Sequence, residues 1–319
     1  MNQSMPVPRF DRRMILQRFG LLIVFLLLAT VLSIVSERFH TVPNITNIFR
    51  TASINGVISV GMTMVILTGG IDLSVGSILA LSAAIGASLM KQGMPFGLAI
   101  AVSLIVGSVL GMINGLIITR GKIPPFIATL GMLTVARGLT LMYTQGQPVT
   151  ELPEGFRFLG AGEIFSIPMP IIIAGLTFLI GYIVLTRTKF GEYIYLLGDN
   201  TTAARLAGIP TIRSTVAVYM ISGFLAALAG LILVARLDSA QPTLGGGYEF
   251  NAIAAVVVGG TSFAGGEGTL LGTLLGALLI ETLNNGMNLM NVSSLWEQVV
   301  KGIVIAIALL LYKILNRSR

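Results

Sequence analysis

The chain has 319 residues, of which 54% are hydrophobic and only 10% are charged, and its mean hydropathy is +0.90. Soluble domains carry about 25% charged residues, so the composition excludes a soluble globular protein. It predicts an all-α polytopic membrane protein. The net charge of +7 does not indicate a nucleic-acid partner, because the basic residues are scattered and form no cluster with aromatic side chains. The absence of cysteine excludes disulfides and thiolate metal sites.

Hydropathy predicts about ten transmembrane helices, since crossing the hydrocarbon core takes about 20 apolar residues. The predicted spans are 19–36, 46–68, 74–92, 95–119, 123–143, 167–186, 214–237, 251–264, 269–288 and 297–314. The first apolar run is longer than the core of a usual signal peptide and lacks a clear cleavage site, so we expect it to be retained. Residues 19–314 then form a single transmembrane domain, between an N-terminal segment (1–18) and a C-terminal tail (315–319).

The distribution of basic residues predicts the orientation. With the N-terminus in the cytoplasm, 13 of the 20 lysines and arginines face the cytoplasm and only four lie outside. Cytoplasmic loops of membrane proteins are enriched in these residues. We therefore expect a multi-pass membrane protein with both termini in the cytoplasm.

An acidic residue lies between two apolar spans, in the stretch Gly69-Gly70-Ile71-Asp72-Leu73-Ser74-Val75-Gly76. A carboxylate within the bilayer is unfavourable by a few kcal/mol and is retained only where it faces protein or a water-filled cavity. The glycines allow the backbone to leave helical geometry, so we predict a broken or re-entrant helix. In a functional role, Asp72 and Ser74 would line a translocation path or lock helices together. In a structural role, they would cap the next helix, and a capped helix end can also line a cavity.

A second glycine-rich stretch, Val256–Gly272, resembles Met62–Gly76 in its order of apolar run, glycines, polar turn and apolar run. Membrane transporters are often built from internal repeats whose broken helices meet near the substrate path. The similarity consists mostly of glycine and aliphatic residues, so chance explains it equally well.

Polar side chains also lie in the last part of the predicted span 269–288. Asn284, Asn285 and Asn288 form either a hydrogen-bonding wall for a polar, uncharged solute or contacts between helices. Two basic residues fall within apolar stretches and need partners. Lys301 lies one helical turn after Glu297, which predicts an ion pair, whereas the sequence names no partner for Arg137.

No arrangement of residues indicates catalysis. The sequence has no nucleophile beside a base, no cluster of metal ligands and no phosphate-binding Gly-x-x-x-x-Gly-Lys loop. We therefore expect no enzyme activity, no catalytic residue, no metal and no cofactor in this chain. If ATP drives its action, a separate subunit binds the nucleotide.

The predicted cytoplasmic loop 187–213 contains a candidate helix. Asn200 or Thr201 can cap a short helix that ends at Gly208, and Pro210 prevents its extension. Small residues on one face suit insertion into the groove of a partner. The alternative is an ordinary helix on the membrane surface.

This loop, Gly191–Pro210, resembles that of the permease subunits of bacterial ABC importers for ribose, xylose, galactose and related monosaccharides. The resemblance extends from about Pro43 to Lys313 and includes further stretches: Val60–Thr63, Val65–Leu67, Gly70–Ser77, Phe126–Leu130, Ser239–Pro242 and Gly247–Ser262. It implies import of a monosaccharide, with ribose or a related sugar expected, by alternating access in the lipid bilayer of the bacterial inner membrane. The implied partners are ABC ATPase subunits, a periplasmic sugar-binding protein and a second permease chain, as a homodimer.

The same resemblance implies that the loop is the coupling helix that docks on the ATPase. The residues expected to carry this contact are Gly191, Asn200, Ala203, Ala204, Arg205, Leu206, Gly208 and Ile209. Two alternatives are an ion-coupled secondary transporter of a small polar solute and a permease for another solute such as autoinducer-2. Against the first, only Asp72 and Glu281 are plausible intramembrane acids for binding protons or Na⁺.

Overall fold

The computed structural model describes residues 12–293 and residues 296, 299, 300, 302 and 303. Within them the fold consists of twelve helices and one short β-hairpin. In chain order the elements are α1 (Arg12–Val35), α2 (Val42–Leu67), α3 (Val75–Lys91), α4 (Phe96–Thr119), α5 (Pro125–Thr144), α6 (Glu154–Ala161), β1 (Glu163–Ile164), β2 (Ile167–Pro168), α7 (Met169–Arg187), α8 (Lys189–Asp199), α9 (Thr201–Leu206), α10 (Thr211–Leu237), α11 (Tyr248–Val258) and α12 (Leu270–Leu289).

Six of the described helices are long and apolar enough to cross a membrane: α2, α4, α5, α7, α10 and α12. Three shorter apolar helices are the Gly20–Val35 part of α1, α3 and α11. Nine predicted spans therefore overlap a helix, whereas the tenth, 297–314, lies almost entirely outside the described residues, as do Glu297 and Lys301. The all-α, multi-pass prediction is confirmed. These helices do not establish the predicted number of crossings.

The predicted span 251–264 is corrected to α11, which begins earlier and ends six residues sooner. Its 11 residues extend about 16 Å at the usual helical rise, about half of the hydrocarbon core. The helix ends because Gly260 adopts the left-handed region, with φ +89°. The apolar pattern alone did not show this end, so α11 is a half-helix followed by irregular backbone.

Both long connections contain short elements. The segment 145–166 holds the short helix α6 and the first strand of the hairpin β1–β2. Three exposed ion pairs lie at this end of the helix bundle: Arg50–Glu163 at 3.1 Å, Lys91–Glu151 at 3.5 Å and Arg157–Asp238 at 3.5 Å. Exposed pairs contribute about 0–1 kcal/mol each, so they orient the segment more than they stabilise the fold.

The core is built around α2 and α10. Every residue of α2 from Ala52 to Leu67 is buried, because α7, α10, α11 and α12 surround this half of the helix. α10 packs on α2, α3 and α4 and is buried over most of its length. The long helices α4, α5 and α7 leave many large apolar side chains exposed, as expected of surfaces that face lipid.

Glycines bring α4 and α10 into direct backbone contact. Gly107, Gly111 and Gly115 are spaced by four residues on one face of α4. A Cβ atom at Gly111 would overlap the backbone of Tyr219, and one at Gly223 would lie 3.1 Å from the Cα of Gly111. We call Gly107, Gly111 and Gly223 the glycine seam. Such spacing permits close helix approach in membranes.

Candidate translocation and coupling sites

The segment that carries Asp72 is a break between two helices inside the bundle. α2 ends at Leu67, Gly69 takes φ +76°, and α3 begins at Val75. Asp72 contacts Ser222 of α10, which lies about 16 Å from the start of that 27-residue helix and hence near its middle. The predicted broken helix is therefore present, and its carboxylate is fully buried.

Asp72 is held by three donors. Its Oδ1 accepts hydrogen bonds from Ser74 N at 3.0 Å and Ser74 Oγ at 2.6 Å, and its Oδ2 accepts one from Ser222 Oγ at 2.9 Å. Asn114 Nδ2 of α4 donates in turn to Ser74 Oγ at 2.8 Å. Since three helices meet at this carboxylate, the geometry matches the predicted lock between helices. Ser74 occupies the N-cap position of α3 but its side chain makes no capping bond.

Arg137 has a partner that the sequence did not name. Its Nη1 donates to the carbonyl oxygens of Pro242 and Leu244, each at 2.8 Å. It also interacts electrostatically with Glu249, a buried carboxylate in the first turn of α11. Arg137 therefore ties α5 to the segment that enters the half-helix α11.

The asparagines of α12 have different surroundings. Asn285 and Asn44 of α2 exchange two side-chain hydrogen bonds, at 3.0 and 2.7 Å, which matches the predicted contact between helices. Asn288 Nδ2 donates to the backbone oxygen of Asn284 at 3.1 Å. Asn284 is buried, and its Oδ1 has no hydrogen-bond partner among the described residues. Asn284 is thus the residue of this group that offers a free acceptor.

The loop 187–213 contains two helices, α8 and α9, of which the sequence predicted only the second. Thr188 Oγ1 accepts from Gly191 N at the start of α8, and Asn200 Oδ1 accepts from Ala203 N at the start of α9. α9 stops just before Gly208, which has φ +79°. The prediction that Asn200 caps a short helix ended by Gly208 is confirmed.

The coupling candidates divide by exposure. Gly191 packs against the last turn of α7 and Ala204 faces the bundle, so both are buried. Leu206 is 85% exposed. The other exposed candidates are Asn200, Ala203, Arg205 and Gly208, whereas Ile209 is half-buried.

Four glycines join α8 to both helix breaks. A Cβ atom at Gly198, in the last turn of α8, would overlap the Leu67 carbonyl oxygen and the Gly266 amide. A Cβ atom at Gly265 would lie 2.9 Å from both Gly198 Cα and Gly69 N. We call Gly69, Gly198, Gly265 and Gly266 the glycine junction. The two stretches that resemble each other in sequence therefore meet here.

Two hydrogen bonds hold the junction together. Gly266 N donates to the Leu67 carbonyl at 2.9 Å, which joins the second break to the end of α2. Tyr195 Oη of α8 donates to the Gly268 carbonyl at 3.0 Å. Burial raises the pKa of Tyr195, so the phenol remains a proton donor at neutral pH. α8 is thus hydrogen-bonded to the second break through the Tyr195 side chain, and it contacts the end of α2 through Gly198.

Sequence reasoning missed several members of these sites. Ser222, Asn114 and Tyr219 lie in apolar stretches, and no spacing links them to Asp72, from which they are separated by 40 residues or more along the chain. The only signal was chemical, since small polar residues within apolar helices usually form hydrogen bonds between helices.

The chain is similar to known permeases over most of its length. The family model described as branched-chain amino acid transport system / permease component matches residues 44–309. The chain is 52% identical to the ribose import permease RbsC of Bacillus subtilis (strain 168) over 299 residues, or 93% of each chain. It is 47% identical to RbsC of Escherichia coli (strain K12) over 293 residues, or 91% of each chain.

A more distant relative is the D-allose transport system permease AlsC of Escherichia coli (strain K12), at 37% identity over 310 residues, which is 97% of this chain and 95% of AlsC. No solved structure matches the chain. The resemblance identified from the motifs is confirmed over nearly the full length, and the chain belongs to the family of transport-system permease components that includes the ribose import permeases.

Proposed function

We propose that this chain is the transmembrane permease subunit of an ATP-driven importer, and that it passes ribose or a related monosaccharide across the bacterial inner membrane. The observation that carries the proposal is the 52% identity to a ribose import permease over 93% of both chains. The description of the matching family model names branched-chain amino acid transport, but the relatives of high identity are ribose import permeases. The ion-coupled alternative is not favoured, because these relatives are import permeases.

The expected assembly has two copies of this chain, two ABC ATPase subunits and a periplasmic sugar-binding protein. The positive-inside distribution supports cytoplasmic termini and puts α8, α9 and both helix breaks on the cytoplasmic side. The end that carries α6 and the β-hairpin then faces the periplasm and the binding protein. Lipid surrounds the remaining apolar surfaces.

The coupling site in this proposal is the exposed side of α9, which lies within the predicted coupling loop 187–213. Arg205 and Leu206 project from this short helix and would enter a groove of the ATPase. Gly191 and Ala204 are buried, so their part is to seat the helices on the bundle.

The glycine junction explains how movement of α9 would reach the translocation path. α9 follows α8 directly, with Asn200 between them, and α8 contacts both breaks through Gly198. A shift of α8 would therefore displace the segment that carries Asp72 and Ser74. In the structure both side chains are enclosed by protein, so their proposed part is to hold the segment that borders the path. Asn288 is the exposed member of the α12 asparagines, so it is the proposed wall residue, next to Asn284 and Asn285.

The coupling assignment is tested by Arg205→Glu and Gly208→Trp. Both variants should insert in the membrane but fail to co-purify the ATPase in mild detergent, since one reverses a charge and the other fills the end of α9. Arg38→Glu makes the same charge change at the opposite end of the bundle and is the matched control. Normal sugar uptake by both α9 variants would refute the assignment.

The substrate is tested with the complete transporter. The chain is co-expressed with its ATPase and binding protein, purified and assayed for ATP hydrolysis with candidate sugars. Stimulation by ribose-loaded binding protein, above that by other sugars, is the expected result. A chain that purifies alone and transports in liposomes without ATP would contradict the proposal.

A further inference from the structure

The segment 241–247, between α10 and α11, descends from one end of the helix bundle towards its middle. We call it the descending segment. Its lower end packs on α3, because a Cβ atom at Gly76 would overlap the Gly245 carbonyl oxygen. Gly76 lies about 22 Å, at the usual helical rise, from Lys91 at the other end of α3. Lys91 marks the surface, since it pairs with the exposed Glu151. The hydrocarbon core is about 30 Å thick, so Gly245 lies at membrane depth.

Part of the descending segment faces away from the bundle. Gln241, Thr243 and Gly246 are exposed, whereas Pro242 and Gly245 are buried. The segment forms turns, and the backbone amides of Thr243 and Gly246 donate to none of the residues that the structure describes. Irregular backbone does not face lipid, because each unpaired polar group in hydrocarbon costs several kcal/mol. This face therefore borders water or another protein.

The exposed groups suit an uncharged polar solute. The side chains of Gln241 and Thr243 can both donate and accept hydrogen bonds. Phe250, just beyond the segment in the first turn of α11, is 53% exposed and adds an apolar ring. Glu249 is buried and interacts with Arg137, so its carboxylate does not face outwards. Small-molecule sites combine aromatic walls with a few polar groups, and a monosaccharide has both hydroxyls and apolar ring carbons.

We propose that the descending segment and Phe250 line the sugar path through the membrane. The free amides and the polar side chains bind sugar hydroxyls, the ring of Phe250 contacts the apolar face of the sugar, and the second copy of the chain closes the other side. This inference rests on the proposed sugar import for its ligand class. Because Gly76 follows the helix break at Asp72 and touches Gly245, a displacement of that break would move this wall of the path.

Cysteine accessibility tests whether water reaches this face, and the chain offers a background without cysteine. Thr243→Cys and Gly246→Cys are each placed in the complete transporter in nanodiscs. They are treated with a charged methanethiosulfonate, with and without ATP, and labelling of the permease chain is measured by mass. The control is Leu176→Cys on the lipid-facing surface of α7, where the wild-type leucine is 54% exposed. Both test cysteines should react about tenfold faster or more than the control in at least one nucleotide state, because the reactive thiolate does not form in lipid.

Two labelling results would overturn the proposal. Reaction of both test cysteines as slow as that of Leu176→Cys, with and without ATP, would show that water does not reach the face. A disulfide between the two copies, without labelling in either state, would show that the second copy covers the face.

Sugar uptake tests whether the solute follows this path. A Cβ atom at Gly246 would lie 3.6 Å from its nearest neighbour, so Gly246→Leu should fold but narrow the path. We expect uptake to fall about tenfold or more at an unchanged amount of protein in the membrane, since the added side chain occupies the space of the solute. Gly175→Leu adds the same side chain in open space on α7 and should transport like the wild type.

Phe250 is tested by substitutions that separate its ring from its bulk. Phe250→Ala should lower the maximal uptake rate severalfold, whereas Phe250→Tyr should keep it. KM should change little, because the binding protein delivers the sugar. Wild-type uptake by both Gly246→Leu and Phe250→Ala would refute the path. Labelling needs no sugar, so a failure of this site and a failure of the import proposal, measured by wild-type uptake, give different results.

Discussion

Replacing Asp72 by alanine should destabilise the protein far more than replacing it by asparagine. Alanine leaves three buried donors without an acceptor: Ser74 N, Ser74 Oγ and Ser222 Oγ. Each unsatisfied donor costs about 1–3 kcal/mol, but the two hydroxyls can turn to other acceptors. We therefore expect a loss of about 2–6 kcal/mol in the free energy of unfolding.

Asparagine can keep all three contacts. Its Oδ1 would accept from Ser74 as the carboxylate does, and its amide would donate to Ser222 Oγ, whose hydroxyl can reverse its role. The expected loss is about 1 kcal/mol, partly offset because a buried charge is removed. Reversible unfolding by SDS in mixed micelles, followed by circular dichroism, measures both variants.

A double-mutant cycle with Ser222→Ala isolates the contact with α10. The coupling between Asp72 and Ser222 should be about 0.5–3 kcal/mol, as for other directly bonded pairs. Ser222→Ala should have little further effect in the Asp72→Ala background. If Asp72→Asn is as unstable as Asp72→Ala, the charge itself is required and the hydrogen-bond reasoning fails.

Three further predictions concern other contacts. Gly198→Ala should impair sugar uptake and destabilise the protein by about 1–3 kcal/mol, because the new Cβ atom would overlap two backbone atoms. Gly175 lies in open space, so Gly175→Ala should be neutral in the same uptake and unfolding assays. Equal behaviour of the two would refute the tight junction. Asn285→Ala should destabilise α12 by about 1 kcal/mol, and adding Asn44→Ala should cost little more, as measured by SDS unfolding. Additive losses would show that the pair is not coupled. Arg137→Gln should raise hydrogen exchange in residues 241–247, since two carbonyl contacts are lost, and unchanged exchange would contradict this anchoring role.

The sequence predicted local features well where residue chemistry is decisive. Asn200 and Gly208 are strong helix boundaries, and both were placed correctly around α9. The break at Asp72 followed from the incompatibility of a charge with lipid. The end of α11 was missed, because the apolar residues continue past Val258 and only the left-handed Gly260 stops the helix.

Contacts between distant residues could not be predicted in the same way. Ser222 is 150 residues from Asp72, and the Asn44–Asn285 pair spans 241 residues. Hydropathy identifies which segments lie in the membrane but does not determine which helix faces touch. The burial of Glu249 could not be predicted from hydropathy either, because it depends on how residues 241–247 pack against the bundle.

The glycine seam restricts how this bundle can deform. Shear motion requires packed helices to slide past each other by about 1–2 Å. A slide along α4 would move these glycines away from the backbone of α10, where only hydrogen atoms now fit. α4 and α10 are thus expected to rotate together as one body about hinges at their ends, with Ser222 and Asn114 fixed relative to each other. Any alternation between open and closed states must then be sought at the looser boundaries of this helix pair.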